Sequence, residues 1–347
     1  MPPGTLILRA DASVALGTGH VMRCLALAQA WQDEGGECIF AMAEATTATE
    51  RRVRAEKCAV VRMSCPACSP QDAALLAELA RAHHAGWVVV DGYQFDAEYH
   101  RNVKAAGLKL LVVDDGGRYE GHSADLVLDQ SIGAGEMTGG ERTGSAQLLL
   151  GSRYVMLRRE FDQWRKWKRE IPNTARRLLV TIGGSDPDGL TLKLVQILPR
   201  VCLPGMLTTV VIGGSNPQGS QLQRAADATG APIELVRDPP NLPELMAQSD
   251  LAVICGGGTL WELLYMGCAI LSYARGALQE QVIARFGTLG AVHDLGPIET
   301  FDVARLTSAI AVLAGRERRE EMSRMGRKMV DGEGARRVLR RMLKGVE

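Results

Sequence analysis

The sequence predicts an α/β fold of two doubly wound, Rossmann-like domains with a cleft between them. Three observations carry this. Apolar runs of strand length alternate with helical stretches through the first half, the alternation restarts after Pro172, and several runs end in glycine-rich turns. The chain of 347 residues also exceeds the usual size of one core, so domains of roughly 150 residues each are the default.

The first strand runs from Leu6 to Asp11, followed by a helix from His20 to about Glu34 and a strand from Glu37 to Ala43. A helix near Pro70 to Ala85 and strands from Trp87 to Asp91 and Lys109 to Asp114 continue the series, as parallel strands wrapped by helices do. A polar, Gly-rich stretch from Ser131 to Ser145 follows. A charged helix from Arg158 to Glu170, stopped by Pro172, is expected to link the domains. The second series has strands Arg177 to Ile182, Leu207 to Ile212, Ile233 to Val236, Leu251 to Cys255 and Ala269 to Tyr273, each followed by a helical segment. From Phe301 the chain is mostly helical, with Met322, Met325, Met329, Val338 and Met342 at helical spacing as a packing face. The expected boundaries are an N-terminal domain over 1–156, a linker helix over 157–175, a C-terminal domain over 176–330, and a final helix over 331–347 packing across the domain junction.

Composition narrows the function. Hydrophobic residues make up 46% of the chain, and 40 basic residues balance 40 acidic ones. A formal charge of zero removes the main electrostatic argument for a nucleic-acid or anionic-membrane partner. The longest apolar runs, such as Leu110-Leu111-Val112-Val113, fall far short of the roughly 20 residues that span a bilayer. Met1 to Thr5 lead straight into a strand with no export signal, so a cytoplasmic protein is expected. The eight cysteines agree, because Cys24, Cys38, Cys202, Cys255 and Cys268 sit in apolar surroundings and form no short-spaced disulfide framework. Cys65-Pro66-Ala67-Cys68 has metal-ligand spacing but no second Cys/His pair, and reads as a plain loop.

In doubly wound sheets ligands bind beyond the carboxyl ends of the strands, so the loops there carry the chemistry. The first such loop, Gly17-Thr18-Gly19-His20, opens a helix. Glycines there permit close backbone approach, and free N–H groups at a helix start attract phosphate or developing negative charge. His20, in the first helical turn, would point into the cleft. The positive end of the helix dipole favours a neutral imidazole that can accept a proton. A capping or core histidine would occupy the same position. Asp11 and Asp91, each at a strand end, could orient the imidazole or cap neighbouring helices, and the choice between them is open. The second half offers Gly183-Gly184-Ser185-Asp186, Gly213-Gly214-Ser215-Asn216, and Gly256-Gly257-Gly258-Thr259 before Trp261-Glu262. Amides of the last loop suit a diphosphate, and Glu262, one turn into its helix, could accept both ribose hydroxyls. Helix-dipole compensation is the plainer use of that glutamate.

These residues, in this order, resemble the PseG family of UDP-2,4-diacetamido-2,4,6-trideoxy-β-L-altropyranose hydrolases of pseudaminic acid biosynthesis, and the related SpsG proteins. The resemblance runs over most of the chain. It is carried by Arg9-Ala10-Asp11 through Gly17-Thr18-Gly19-His20-Val21-Met22-Arg23, with Asp91-Gly92-Tyr93, Asp114-Asp115, Leu150-Gly151-Ser152-Arg153-Tyr154, Leu157-Arg158-Arg159-Glu160-Phe161, Gly183-Gly184-Ser185-Asp186, Ser215-Asn216-Pro217 and Trp261-Glu262. It implies a GT-B architecture like that of the MurG glycosyltransferases, with UDP held mainly by the second domain. The histidine matching His20 is the family's general base, the glutamate matching Glu262 contacts the nucleotide, and no metal or other cofactor is required. Two departures bear on the sugar. Gly92 stands where the family commonly has histidine, and Glu280-Gln281 stand where it has an Asn-Gln pair, which changes the hydrogen-bonding inventory.

The resulting expectation is a cytoplasmic, monomeric hydrolase acting on a UDP-linked deoxyamino sugar and water. His20 and Asp11 form its catalytic set. Gly17, Thr18, Gly19, Arg23, Asp91, Tyr93, Gly183, Gly184, Ser185, Asp186, Asn216, Gly256, Gly257, Gly258, Thr259, Glu262, Glu280 and Gln281 form its substrate set. An inverting glycosyltransferase would use the same base on an acceptor hydroxyl. A non-catalytic nucleotide-sugar-binding protein would share the cleft without using the base.

Overall fold

The structure is a computed structural model that describes residues 2–115, 123–134, 142–143 and 146–344. Much of the Gly-rich stretch expected from Ser131 to Ser145 lies outside the described residues. The chain divides into two compact units, one of residues 1–159 with 332–347 and one of residues 160–331.

In the first unit the elements follow as β1 (Thr5–Ala10), α1 (Gly19–Asp33), β2 (Glu37–Met42), α2 (Thr47–Ala55), β3 (Ala59–Arg62), α3 (Pro70–Ala82), β4 (Trp87–Asp91), α4 (Ala97–Ala105), β5 (Lys109–Val113), β6 (Leu126–Asp129), β7 (Arg142–Thr143) and β8 (Ala146–Leu150). The sheet order is β3-β2-β1-β4-β5-β6-β8-β7, parallel except for the short β7. Helices cover both faces, so β1 is apolar on both. Leu6, Leu8 and Ala10 join the core that holds Val21, Leu25, Trp87 and Val89. Ile7 joins the opposite core with Leu76, Val88, Val90 and Tyr99. This two-faced burial is why the parallel strands read as unbroken apolar runs.

The second unit contains β9 (Arg177–Thr181), α5 (Leu190–Val201), β10 (Leu207–Ile212), α6 (Gly219–Thr229), β11 (Ile233–Arg237), α7 (Leu242–Gln248), β12 (Leu251–Cys255), α8 (Gly258–Met266), β13 (Ala269–Ala274), α9 (Gly276–Thr288), β14 (His293–Pro297), α10 (Val303–Val312) and α11 (Arg316–Met329). Its six strands are parallel in the order β11-β10-β9-β12-β13-β14. Both sheets reverse their winding beside the first strand, between β1 and β4 and between β9 and β12. In doubly wound folds that reversal opens the ligand crevice.

Two expectations about the helices are corrected. The charged helix expected over Arg158 to Glu170 is only a 3₁₀ segment at Arg159–Trp164. Its large apolar side chains Phe161, Trp164 and Trp167 recur every three residues, the spacing that a 3₁₀ turn stacks on one side. Phe161 alone of that segment is buried, and Arg169 donates instead to the carbonyls of Met246, Ser249 and Met266. The methionine stripe is likewise not one face. Met322 lies in the core of the second unit, whereas Val338 and Met342, on α12 (Gly334–Lys344), lie in the α1-side core of the first.

Candidate active site

The loop after β1 is closed by Gly17, whose φ of +76° suits glycine, and whose N–H donates to the Ser13 carbonyl at 2.9 Å. Helix α1 starts immediately afterwards. Its cap residue Thr18 makes no side-chain cap bond and its first turn carries no acidic residue, so the positive helix end is left to the site. His20 stands in that first turn with its side chain 11% exposed.

Its partner is Asp91, the last residue of β4 and fully buried. Nδ1 of His20 lies 2.7 Å from Asp91 Oδ1. Arg23, one turn along α1, donates to the same carboxylate through Nε at 2.5 Å and Nη2 at 2.6 Å. It also pairs with Asp115 just beyond β5. The thiol of Cys24 donates to Asp91 Oδ2 at 3.5 Å. Burial by itself pushes the Asp91 carboxyl upward, but Arg23 and then His20 outweigh it and hold it well below the usual carboxylate range. An ionised carboxylate only accepts, so Nδ1 carries the hydrogen. Arg23 Nη2, 3.3 Å from that nitrogen, is itself only a donor. The neutral ring therefore has its lone pair on Nε2. The ring of Tyr93 stands edge-on to His20, with centroids 4.9 Å apart and planes at 82°.

Asp11 is not the aspartate beside His20. Its Oδ1 accepts from Arg9 at 2.8 Å and from the amides of Ala43 and Glu44 at 2.7 and 3.0 Å, and its Oδ2 accepts from Gln94 at 3.2 Å. Its assignment to the catalytic pair is corrected accordingly. Arg23, expected among the substrate ligands, is likewise committed to Asp91 and Asp115. The buried Arg9, Asp72 and Tyr99 cluster that anchors Asp11 was not anticipated. A charge at position 9, inside an apolar strand, was its available signal.

In the second unit the glycine loops follow β9, β10 and β12. The β9 and β10 loops interlock, with Ser215 N–H donating to Gly184 O at 3.0 Å. A Cβ on Gly213 would lie 2.3–2.5 Å from backbone atoms of Gly183 and Gly184. Ser185 is buried at this junction. Asp186 spends its carboxylate as a cap on α5, accepting from the amides of Leu190 and Thr191 at 3.0 and 2.8 Å. Asn216 is buried and accepts from Gln218 N–H at 2.8 Å, holding its own turn. Both carboxylate oxygens of Asp186 and the side-chain oxygen of Asn216 thus hold their own loops. Helix α8 starts differently. Gly257, at φ +71°, gives no side-chain cap, and Gly257 and Gly258 are exposed while Thr259 and Glu262 are half-buried. Glu280 and Gln281 are exposed on α9. The neighbouring Gln279 instead lies on Gly256 and accepts from Arg275 N–H at 2.9 Å. Arg275 pairs with Asp188 at 2.5 Å, joining the β13 and β9 loops.

A cavity of about 360 Å³ opens at the other end of this sheet, around Arg177, Leu207, Ile233 and Glu234 at the strands' amino ends. Crevices at carboxyl ends are the functional ones in such sheets, so the glycine loops remain the candidate. Among the described residues no His, Cys, Asp or Glu cluster of three could hold a metal, and no helix is long and apolar enough to cross a membrane.

No protein-family model matches the chain. It is 23% identical over 278 residues to an uncharacterized protein of Methanocaldococcus jannaschii, covering 78% of this chain and 56% of that protein. It is 26% identical over 203 residues to the spore coat polysaccharide biosynthesis protein SpsG of Bacillus subtilis, covering 56% of this chain and 58% of that one. The chain thus spans little more than half the length of either relative. It is also 23% identical over 265 residues to the UDP-2,4-diacetamido-2,4,6-trideoxy-beta-L-altropyranose hydrolase of Campylobacter jejuni, covering 75% of this chain and 88% of that protein. Among solved structures, MurG of Acinetobacter baumannii superposes with a TM-score of 0.67 at 15% identity, over 99% of this chain and 100% of that one. The glycosyltransferase VinC, solved with dTDP, gives 0.65 at 14% identity, over 98% and 100%. The fold is therefore the GT-B arrangement of two Rossmann-like domains, and the resemblance to the PseG and SpsG proteins is supported by similarity to a member of each.

Proposed function

We propose that the chain hydrolyses a UDP-linked 2,4-diacetamido-2,4,6-trideoxyhexose, with water attacking the anomeric carbon and inverting it. The observation that carries this reading is the His20–Asp91 pair at the β1/β4 reversal, with Nδ1 bonded to a buried carboxylate at 2.7 Å. Asp91 fixes the tautomer, and Nε2 is the proton acceptor. As the water oxygen bonds to the anomeric carbon, its proton passes to Nε2. The bond from that carbon to the phosphate oxygen breaks, and its electron pair leaves on UDP. Such a base supplies roughly 10²–10⁴ in rate. The exposed amide-bearing start of α8 suits the diphosphate, and Glu262 the ribose. The name of the Campylobacter jejuni relative supports this sugar class, and nonulosonic acid biosynthesis in the cytoplasm is the setting that goes with the proposed reaction.

One observation favours a transferase as the second reading. Val14 and Leu16, in the loop that leads to His20, are 44% and 43% exposed, and Tyr93 is 57% exposed; such side chains could pack against an acceptor. The test is turnover of the UDP-sugar in ¹⁸O-water with no acceptor present. Release of UDP with the label in the free sugar and an inverted anomer supports hydrolysis. UDP release only after an acceptor is added supports the transferase, and label in UDP moves the attack to phosphorus.

A further inference from the structure

We infer that Gln94 is a positioning residue, which ties the loop carrying Tyr93 to Asp11 and thereby holds the Tyr93 ring against His20. The anchor is rigid. Asp11 is 2% exposed, and one of its oxygens is saturated by Arg9 and the amides of Ala43 and Glu44. Arg9 is itself clamped by Asp72 through contacts of 2.8–3.2 Å. The other oxygen of Asp11 accepts from Gln94 Nε2 at 3.2 Å.

The tie depends on the residue before Tyr93. A Cβ on Gly92 would lie 2.5 Å from Gln94 Oε1 and 2.9 Å from both Cδ and Nε2, so the glutamine amide occupies the space a side chain at 92 would need. Glycine at 92 and glutamine at 94 therefore act as a unit. Phe95 completes the turn, donating its N–H to Gly92 O at 3.3 Å, and lies buried with its ring centroid 4.9 Å from the Arg9 guanidinium carbon. Residues 92–95 are thus gripped at Gln94 and Phe95, and Tyr93, immediately before Gln94, is carried to its edge-on contact with His20. Tyr93 is itself 57% exposed, so its own burial does little to fix it.

For the reaction, this rests on the reading of His20 as the base. The test compares wild type, Gln94→Ala, Gln94→Glu and Gly92→Ala in UDP-sugar turnover and in the NMR spectrum of the histidine rings, where His20 is identified by its loss in His20→Asn. Misplacement by about 1 Å can cost 10²-fold, so Gln94→Ala is expected to lower kcat roughly ten- to a hundredfold with KM nearly unchanged. Gln94→Glu, which sets a second carboxylate against Asp11, should lower it further. Gly92→Ala should give the same pattern and cost less when added to Gln94→Ala than alone. The His20 resonances should move in Gln94→Ala toward their positions in Tyr93→Ala. A loss confined to KM, or His20 resonances and kcat at wild-type values in Gln94→Ala, overturns the inference. If wild type turns over no UDP-sugar, the proposed reaction fails, while the His20 resonances still decide the role of Gln94.

Discussion

Replacing Asp91 by asparagine removes the one group that His20 and Arg23 share. The carboxylate receives hydrogens from His20 Nδ1, from two nitrogens of Arg23 and from Cys24. An amide has one oxygen to offer. If that oxygen faces Arg23 Nε, the NH₂ group meets Nδ1 and drives the hydrogen to Nε2, which abolishes the base. If it faces His20, two donors oppose each other at Arg23. A wrong tautomer in a histidine–aspartate pair costs about 10⁴ in rate, or about 5.4 kcal/mol at 1.36 kcal/mol per decade. Folding suffers separately, because Arg23, 12% exposed, keeps Asp115 as its one anionic partner among the described residues. Removing one partner of a buried pair costs about 3–5 kcal/mol, and at about 2–4 °C per kcal/mol the melting midpoint should fall by at least about 6 °C. Thermal melting of Asp91→Asn would come first, followed by kcat measured well below the variant's midpoint. The double variant with His20→Asn should be no slower than His20→Asn alone, since the two residues act as one unit. A folded Asp91→Asn protein with near-wild-type kcat would refute the whole assignment of tautomer and base.

Other consequences are more direct. His20→Asn should keep fold and UDP affinity while kcat falls at least about a hundredfold; a near-normal rate returns the histidine to a helix-start role. Glu262→Ala should weaken UDP binding by about one to two orders of magnitude, the worth of a hydrogen bond to a charged group at roughly 1.5–3 kcal/mol; unchanged affinity in calorimetry removes it from the nucleotide site. Gly213→Ala forces the β9 and β10 loops apart and should cost at least about 1–3 kcal/mol in urea unfolding, with wild-type stability as the refuting result. Because the folded Asp91 carboxyl titrates below its unfolded value of about 3.9, its stabilising contribution is complete above that pH. It is lost as the pH falls through the folded value. Melting midpoints below about pH 4 should therefore drop more steeply for wild type than for Asp91→Asn.

The alternation of strands and helices was readable because periodicity reports burial directly, and the glycine turns marked the strand ends where ligands collect. The elements that escaped did so for two reasons: β6 is fully buried but only four residues long, and others are buried too shallowly to show a period. β3, at the edge of its sheet, and α2, with only Thr49 and Val53 buried, show too little periodic contrast. The choice between Asp11 and Asp91 failed for a different reason. Both end adjacent parallel strands, and the register pairs Ala10 with Asp91. Successive side chains alternate between sheet faces, so Asp11 shares its face with Ile7 and Arg9, while Asp91 shares its face with Trp87 and Val89. The core of Trp87 and Val89 is the one that receives Val21 and Leu25 of α1, and His20 stands at the start of that helix. Strand parity thus sends Asp91 to the histidine and Asp11 toward α3, where Arg9 meets Asp72. Parity is legible in a strand with one polar face. In β1 and β4, apolar on both faces, only the packed helices say which face is which. Arg9 was the exception to that uniformity, and an arginine fully buried two residues before an aspartate already requires an acceptor on its own face.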